Sequence, residues 1–363
     1  MDDGFNRIVF SYDAEAPAAA ELGYRIDGER VRDRIYLEPA KNGSFSLLVR
    51  GAGDGKTARD PDFSGFGGAA VRSWTTDTVE VPREVFLERD GVRLGVTLEM
   101  GGAIASLLDR RAPAGYTNLL NRFDTGRLVQ QSYYGCDEPP YEPGEFMDSP
   151  WPYNPVQGGD KGGNRSRVID VRCEDGEICV KAQPYDWGHV GSITPSYMEN
   201  RYRFLDDGVI CVDNRFTDFS GLRHRARAQE LPAFYVVSAL DVFTWEDAGV
   251  RRSRDDLIFW PLAKDQNFPL TDPAHAFCMW HDKSGYGVGL AVPAAEQYYA
   301  GRHAYNGSRD PMSGATNYVA PLKTVQLRSF EPFSYRYLLA VGDLETVARR
   351  LRTNLSALSG AAR

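Results

Sequence analysis

The stretch Val92-Arg93-Leu94-Gly95-Val96-Thr97-Leu98-Glu99 alternates apolar with polar or small side chains without a break. A two-residue period puts one face on a core and the other in solvent, so these residues predict a strand. Gly101-Gly102 then permits a tight bend into a second run over 103–108. Similar short runs recur over 8–12, 20–26, 44–49, 167–173, 178–183, 197–204, 209–217, 233–242, 286–292 and 324–340. Turn residues separate them, including the hairpin dipeptides Asp27-Gly28 and Asn42-Gly43. Residues 51–68, rich in Gly and Asp, read as a loop. Helical spacing occurs only at Leu344, Val347, Ala348, Leu351 and Leu355, with Asp343 as cap and Arg349, Arg350 and Arg352 favouring the C-terminal half. Strands at this density, without helices between them, predict a sandwich rather than βα units.

At 363 residues the chain exceeds the usual single domain. The pattern changes near residue 82: residues 1–82 read as a small β-sandwich unit and 83–363 as the main β domain with the one C-terminal helix. A formal net charge of −8 argues against nucleic acid as partner, because phosphate binding needs a concentrated cationic surface. Five cysteines without a CxxC pair fit a reducing compartment and give no zinc signature. The start Met1-Asp2-Asp3-Gly4 carries no signal peptide, which predicts a cytoplasmic chain, although a secreted one trimmed of its leader would read the same. No apolar run approaches the roughly 20 residues of a membrane span. There is no GxSxG elbow, P-loop or strand–glycine–helix fingerprint, so neither a metal nor any other cofactor is expected.

Residues 121–160 concentrate amides, aromatics, Gly and Pro, and 135–150 lack periodicity, as functional loops do. Arg127, Gln130, Gln131, Asn154 and Gln157 offer planar donors and acceptors suited to sugar hydroxyls. Tyr133, Trp151 and Tyr305 can stack on pyranose rings. The plainer alternative is an Asp124–Arg127 pair and amides that satisfy loop backbone. A second cluster, Tyr197-Met198-Glu199-Asn200-Arg201, puts Tyr197, Glu199 and Arg201 on one strand face, either at a cleft or as a Glu199–Arg201 ion pair. Glu230 precedes an apolar run and is expected at a sheet end, where burial could tune it into an acid or base. His224 and His303 belong to five scattered histidines without metal-ligand spacing. The segment around His303 and Tyr305 repeats the amide-and-aromatic style and is the expected opposite wall.

Asp90-Gly91-Val92-Arg93-Leu94, through Gly101-Gly102-Ala103-Ile104 to Asn118-Leu119-Leu120, resembles the opening of galactose-mutarotase-like supersandwich domains. Residues 196–220, ending in Phe216-Thr217-Asp218-Phe219-Ser220, and Glu331-Pro332-Phe333-Ser334-Tyr335-Arg336-Tyr337 are similar to later parts of that superfamily. The resemblance covers about residues 85–343. It implies a large antiparallel β-supersandwich, preceded by a β-sandwich like those appended to carbohydrate-active enzymes, and an oligo- or polysaccharide ligand. Mutarotases pair a Glu base with a His acid, and His224 falls where the family carries its His. No counterpart of the Glu is matched.

The expected activity is glycoside hydrolysis by two carboxylates, with Glu199 and Glu230 as first pair and Asp124 and Asp160 in reserve. A lyase or epimerase using Tyr133 or His224, and a non-catalytic sugar binder, are the alternatives. Oligomeric state is left open.

Overall fold

A computed structural model describes residues 4–26, 28–50, 58–66, 68–258 and 266–360. The fold is all-β, with every described strand pair antiparallel and, among the described residues, one α-helix, Leu344–Gly360. Two large sheets face each other. One runs in the order Asn267–Pro269, Gln297–His303, Thr316–Gln326, Ala226–Val237, Val129–Ser132, Ala103–Asp109, Val92–Thr97, Glu84–Arg89. Short strands Pro155–Val156 and Tyr185–Asp186 extend it beyond Val129–Ser132 and bring it to ten. The second, nine-stranded, runs Arg167–Glu174, Glu177–Gln183, Ser196–Phe204, Ile210–Asp218, Phe333–Asp343, Tyr286–Ala291, Phe277–His281, Val242–Asp247, Val250–Arg254.

Strand alternation builds the core between them. Val96, Ile104, Phe234, Val236, Tyr298 and Val319 from the first sheet meet Val180, Met198, Tyr202, Val212, Tyr337 and Leu339 from the second. The opposite faces are then available for other work. The helix takes part of the second sheet's outer face, burying Val347, Ala348, Leu351 and Leu355 against Phe277, Met279 and Leu338. Asp343 caps it as expected, accepting the Thr346 N–H at 3.0 Å. Arg350 donates to the Val341 carbonyl and Arg352 pairs with Glu246, so the helix's cations bind it to the sheet.

Residues 4–80 form two three-stranded sheets, Ala40–Arg50, Gly4–Ala14, Ala69–Glu80 and Glu29–Leu37, Ala18–Ile26, Arg59–Gly65. Their shared core of Ile8, Phe10, Leu22, Ile35, Phe45 and Leu47 also takes in Ile169, Tyr197 and Phe219 from beyond residue 82. A two-pronged ion pair from Arg167 to Asp33, at 2.6 and 3.0 Å, ties the same regions together.

Three expectations need correction. Strand Arg59–Gly65 lies in the expected loop 51–68, where Phe63 packs edge-on to Phe10; residues 51–57 and 67 lie outside the described set. The run 233–242 ends its strand at Val237, and 324–340 is two strands, Thr316–Gln326 and Phe333–Asp343, because the chain leaves one sheet for the other.

The Gly101-Gly102 bend is present, with φ of 61° and 73°. A Cβ on Gly102 would stand 2.4 Å from Val180 Cγ1. Gly102→Ala therefore combines a left-handed backbone with a core clash and is expected to cost about 2–4 kcal/mol, read as a lower urea midpoint at unchanged m-value.

Candidate functional site

The outer face of the ten-stranded sheet carries a cavity of about 540 Å³. Each strand contributes the side chains that alternate with its core residues: Tyr299 beside Tyr298, Tyr318 beside Val319, Tyr235 beside Phe234. In strand Ala226–Val237 the pairing slips between Glu230, opposite Leu322, and Phe234, opposite Val319. Four residues thus span what three span on the partner, a β-bulge that contains the cis Leu231–Pro232 bond. The bulge reverses parity, so Glu230 shares the cavity face with Tyr235 while Leu231 and Phe234 share the core. Glu230 therefore sits inside a strand, not at the sheet end that the following apolar run suggests.

The far wall is the hairpin Gly144–Phe146 and Ser149–Trp151, which gives the aperiodic segment 135–150 its purpose. Phe146 meets Trp151 and Trp187 edge-on at ring distances of 5.0 and 5.5 Å. Trp151 Nε1 donates to Asn154 Oδ1 at 2.9 Å, and Asn154 Nδ2 donates to the Tyr133 carbonyl at 2.7 Å, which fixes the indole against the sheet. Gln130 also lines the cavity, donating to the Thr125 carbonyl and accepting the Gly158 N–H.

Glu230 is the one carboxylate among the described lining residues, which include no Arg, Lys or His. Its Oε1 accepts the Tyr134 hydroxyl at 3.2 Å and the Tyr318 hydroxyl at 2.5 Å. Burial pushes its pKa above the ordinary 4.5, and the hydroxyls of Tyr318, Tyr134 and Ser132 only partly offset this. The phenols of Tyr134 and Tyr318 are pushed up in turn, first by burial and then by Glu230. Such a group can hold a proton at a pH where an exposed carboxyl has lost it, and can release it to an oxygen lying on the aromatic floor. Tyr299 adds a further buried phenol to the floor, raised by burial and eased by Gln266.

The expected site residues divide between this cavity and other places. Gln130, Trp151, Asn154 and Glu230 line it. Asp124 and Arg127 flank it: their ion pair, at 3.5 Å, is the plainer alternative anticipated above, and Arg127 also donates to the Gly314 carbonyl. Burial raises the Tyr235 pKa first, then the charges of Glu230 and Asp124, which ties Asp124 to the cavity wall. Burial lowers the His303 pKa, the Arg127 charge adds to this, and Asp124 opposes it, so His303 belongs to the same flank. Tyr305 is half exposed and donates to Asp241 Oδ2.

The remainder serve the fold. Tyr133 is fully buried and donates to Gln131 Oε1, facing the core where its neighbour Tyr134 faces the cavity. Gln131 Nε2 donates to the Glu199 carbonyl, and Gln157 accepts the Gln131 N–H on Oε1 while its Nε2 reaches Asn200 Oδ1 between the sheets. Asp160 is fully buried and clasps its loop through Gly162, Asn164 and Gly191. Tyr197 packs into the N-terminal core. His224, also buried, bonds Asp218 Oδ2 through Nε2 at 3.1 Å and takes the Cys136 N–H on Nδ1 at 3.1 Å. That arrangement leaves neither ring nitrogen at the cavity. Glu199 lies on the outer face of the other sheet and pairs with Lys181 and Arg215, while Arg201 pairs with Glu177. Glu199 and Glu230 do not share a cavity, and the expected Glu199–Arg201 pair is replaced by cross-strand partners.

Tyr134, Trp187, Tyr235, Tyr299 and Tyr318 line the cavity and are not singled out by the sequence. The last three are tyrosines next to core residues in strands, where the two-residue period puts them on the opposite face.

Among the described residues no cluster of His, Cys, Asp or Glu could hold a metal ion, and no helix is long and apolar enough to cross a membrane. Comparison with family models and with curated protein sequences finds no match. Among solved structures the chain is similar to a GalM/aldose epimerase homologue from C. elegans, at 11% identity over 71% of this chain and 99% of that one, with a TM-score of 0.43. It is also similar to a putative aldose 1-epimerase from Klebsiella pneumoniae, at 10% identity over 88% of both chains and a TM-score of 0.42. A third likeness is to the GH36 alpha-galactosidase AgaB from Geobacillus stearothermophilus, at 13% identity over 73% of this chain and 41% of that one, with a TM-score of 0.43. Likeness at this level leaves the chemistry to be read from the cavity.

Proposed function

We propose that this chain is a carbohydrate-active enzyme that holds a neutral sugar in the aromatic cavity and uses protonated Glu230 to give a proton to an acetal oxygen. The observation that carries the reading is Glu230 itself, a desolvated carboxyl on an aromatic floor with two tyrosine hydroxyls on one oxygen. A carboxylic acid that keeps its proton above the ordinary range is suited to general-acid catalysis. Protonation of the exocyclic oxygen of a glycoside lets the alcohol leave and water take its place at the anomeric carbon. In a free sugar, protonation of the ring oxygen breaks the ring C–O bond as the anomeric hydroxyl gives its proton to water, and reclosure exchanges the anomers.

Hydrolysis by two carboxylates needs a partner for Glu230. No second carboxylate is among the described lining residues, and Asp124 on the flank is held by Arg127 and by the Gly126 and Arg127 N–H groups, so this reading rests on Glu230 as the acid with water as the attacking group. A uronate substrate is disfavoured, since no cation among the described lining residues would compensate its carboxylate. On the same reading residues 83–363 carry the catalytic site, and residues 1–82 form a β-sandwich docked against them.

The test is incubation with a panel of neutral mono- and oligosaccharides, followed by polarimetry and by reducing-end release. Either signal, present in the parent and lost in Glu230→Gln, supports the proposal. Saturable binding with neither signal would make the chain a sugar-binding protein, and absorbance of an unsaturated uronate would overturn the neutral-substrate reading. Trp151→Ala removes a cavity wall that makes no hydrogen bond to Glu230 and touches the acid's surroundings only edge-on through the Tyr134 ring, at 6.1 Å. It is expected to raise KM about tenfold with kcat little changed, as the loss of uniform binding does.

A further inference from the structure

We propose that a second saccharide site lies in the cleft between the N-terminal sheets and the outer face of the nine-stranded sheet. The cleft has a volume of about 780 Å³ and lies behind the core from the aromatic cavity. One wall comes from strands whose alternate residues are already committed to the core. Met198 and Tyr202 face inward and Glu199 outward, Val212 faces inward and Arg215 outward, Val180 faces inward and Lys181 outward. The other wall comes from Tyr36, Glu38, Ser44, Phe45 and Ser46.

Its walls are held in place. Arg215 bonds Glu38 Oε2 at 2.7 Å across the cleft and Glu199 Oε1 at 3.2 Å on its own side. Lys181 Nζ meets the same Glu199 oxygen at 3.2 Å and sits over the rings of Tyr197 and Phe45 at 4.4 and 5.0 Å. The Arg167–Asp33 pair and the bond from Arg7 to the Val171 carbonyl, 2.6 Å, fix the two walls relative to each other. A cleft preformed in this way pays little ordering cost when a ligand enters.

The charge pattern selects the ligand. The cleft's cations already have carboxylate partners: Arg215 and Lys181 as above, Arg201 with Glu177, Arg336 with Asp213, Arg172 with Asp170. A phosphate or carboxylate ligand would have to displace one of these pairs. A neutral polyol would not, because each hydroxyl both donates to a carboxylate and accepts from a cation. Ser46 Oγ, on the cleft wall and nine-tenths buried, has no hydrogen-bond partner among the described residues. The cleft shares no lining residue with the cavity, so it stands whether or not Glu230 is an acid.

The experiment is calorimetric titration of the whole chain with cellobiose, lactose and maltotriose, and separately with inorganic phosphate. Ser44→Trp blocks the cleft from an exposed position, and Glu199→Gln removes its shared carboxylate; thermal melts check that both fold. Trp151→Ala reports on the cavity alone. The expected result is a saccharide isotherm of two sites, one weakened about tenfold or more by Ser44→Trp and by Glu199→Gln, the other by Trp151→Ala. An isotherm untouched by both cleft variants would overturn the proposal. So would no saccharide binding in the cleft at millimolar concentration, or phosphate binding that Ser44→Trp abolishes. Loss of turnover with the cleft isotherm intact would remove only the cavity reading.

Discussion

Glu230→Gln is expected to lower kcat/KM on the cavity's substrate by about 10²- to 10⁴-fold, the usual contribution of a positioned general acid. Glutamine keeps the shape and still accepts the hydroxyls of Tyr134 and Tyr318, so lost turnover would report the lost proton rather than a rearranged floor. The pH dependence follows from the same burial. Activity of the parent should fall with rising pH as Glu230 loses its proton, and the limb should lie above the ordinary 4.5 because burial raises this carboxyl. Stability should carry the same signature. With the folded pKa above the unfolded one, the folded state holds the proton more tightly. The stabilisation this gives is complete below about pH 4.5 and is lost as pH rises through the folded value. The amide in Glu230→Gln does not titrate, so the melting temperature of the variant relative to the parent should climb across that window. A flat difference, together with a rate loss below tenfold, would leave Glu230 a buried structural acid.

Glu230 also shows where sequence reasoning stops. The strands were legible because alternation is local: Val92–Thr97, Ala103–Asp109, Ser196–Phe204 and Ile210–Asp218 follow their patterns to within a residue or two of the expected ends. Sheet order is not local, and it decided the site. Glu199 and Glu230 look alike as carboxylates in or near strands, yet one belongs to the outer face of each sheet, on opposite sides of the core. The apolar run that begins at residue 233 put Glu230 at a sheet end, yet the strand starts at Ala226 and holds Pro232, a residue that weakens a central strand. The bulge accommodates it and turns Glu230 onto the cavity face. Tyr133 and Tyr134 differ by a single step of parity, and that step separates a core phenol from a cavity phenol. The amides Gln131 and Gln157 have the composition of a sugar site, and they satisfy buried backbone instead. Hydrogen-bonding capacity is readable from residue type, but the partner that consumes it is not.

Asp218→Ala is expected to destabilise the chain by about 3–5 kcal/mol, the range for removing one partner of a buried charged network. The Asp218 carboxyl is nearly inaccessible and accepts from Tyr153 at 2.9 Å, Ser220 at 2.5 Å, Ser329 at 2.6 Å and His224 at 3.1 Å. Alanine would leave three hydroxyls and an imidazole without their acceptor where the loops after strands Ile210–Asp218 and Thr316–Gln326 meet. Burial alone would raise this carboxyl, but the bonds from His224, Ser220 and Ser329 outweigh it and hold the pKa below the ordinary 3.8. The folded state thus favours the ionised form. Its stabilisation is present above the unfolded pKa and disappears as pH falls through the folded one, so the gap between variant and parent should narrow only in strong acid. Turnover per folded molecule should be almost unaffected, and the same holds for His224→Asn, which loses stability but keeps the parent's pH–rate profile. The resemblance to mutarotases points the other way, because it makes His224 the acid. A His224→Asn chain that melts like the parent but has lost turnover would place the reaction at His224 and take it away from Glu230.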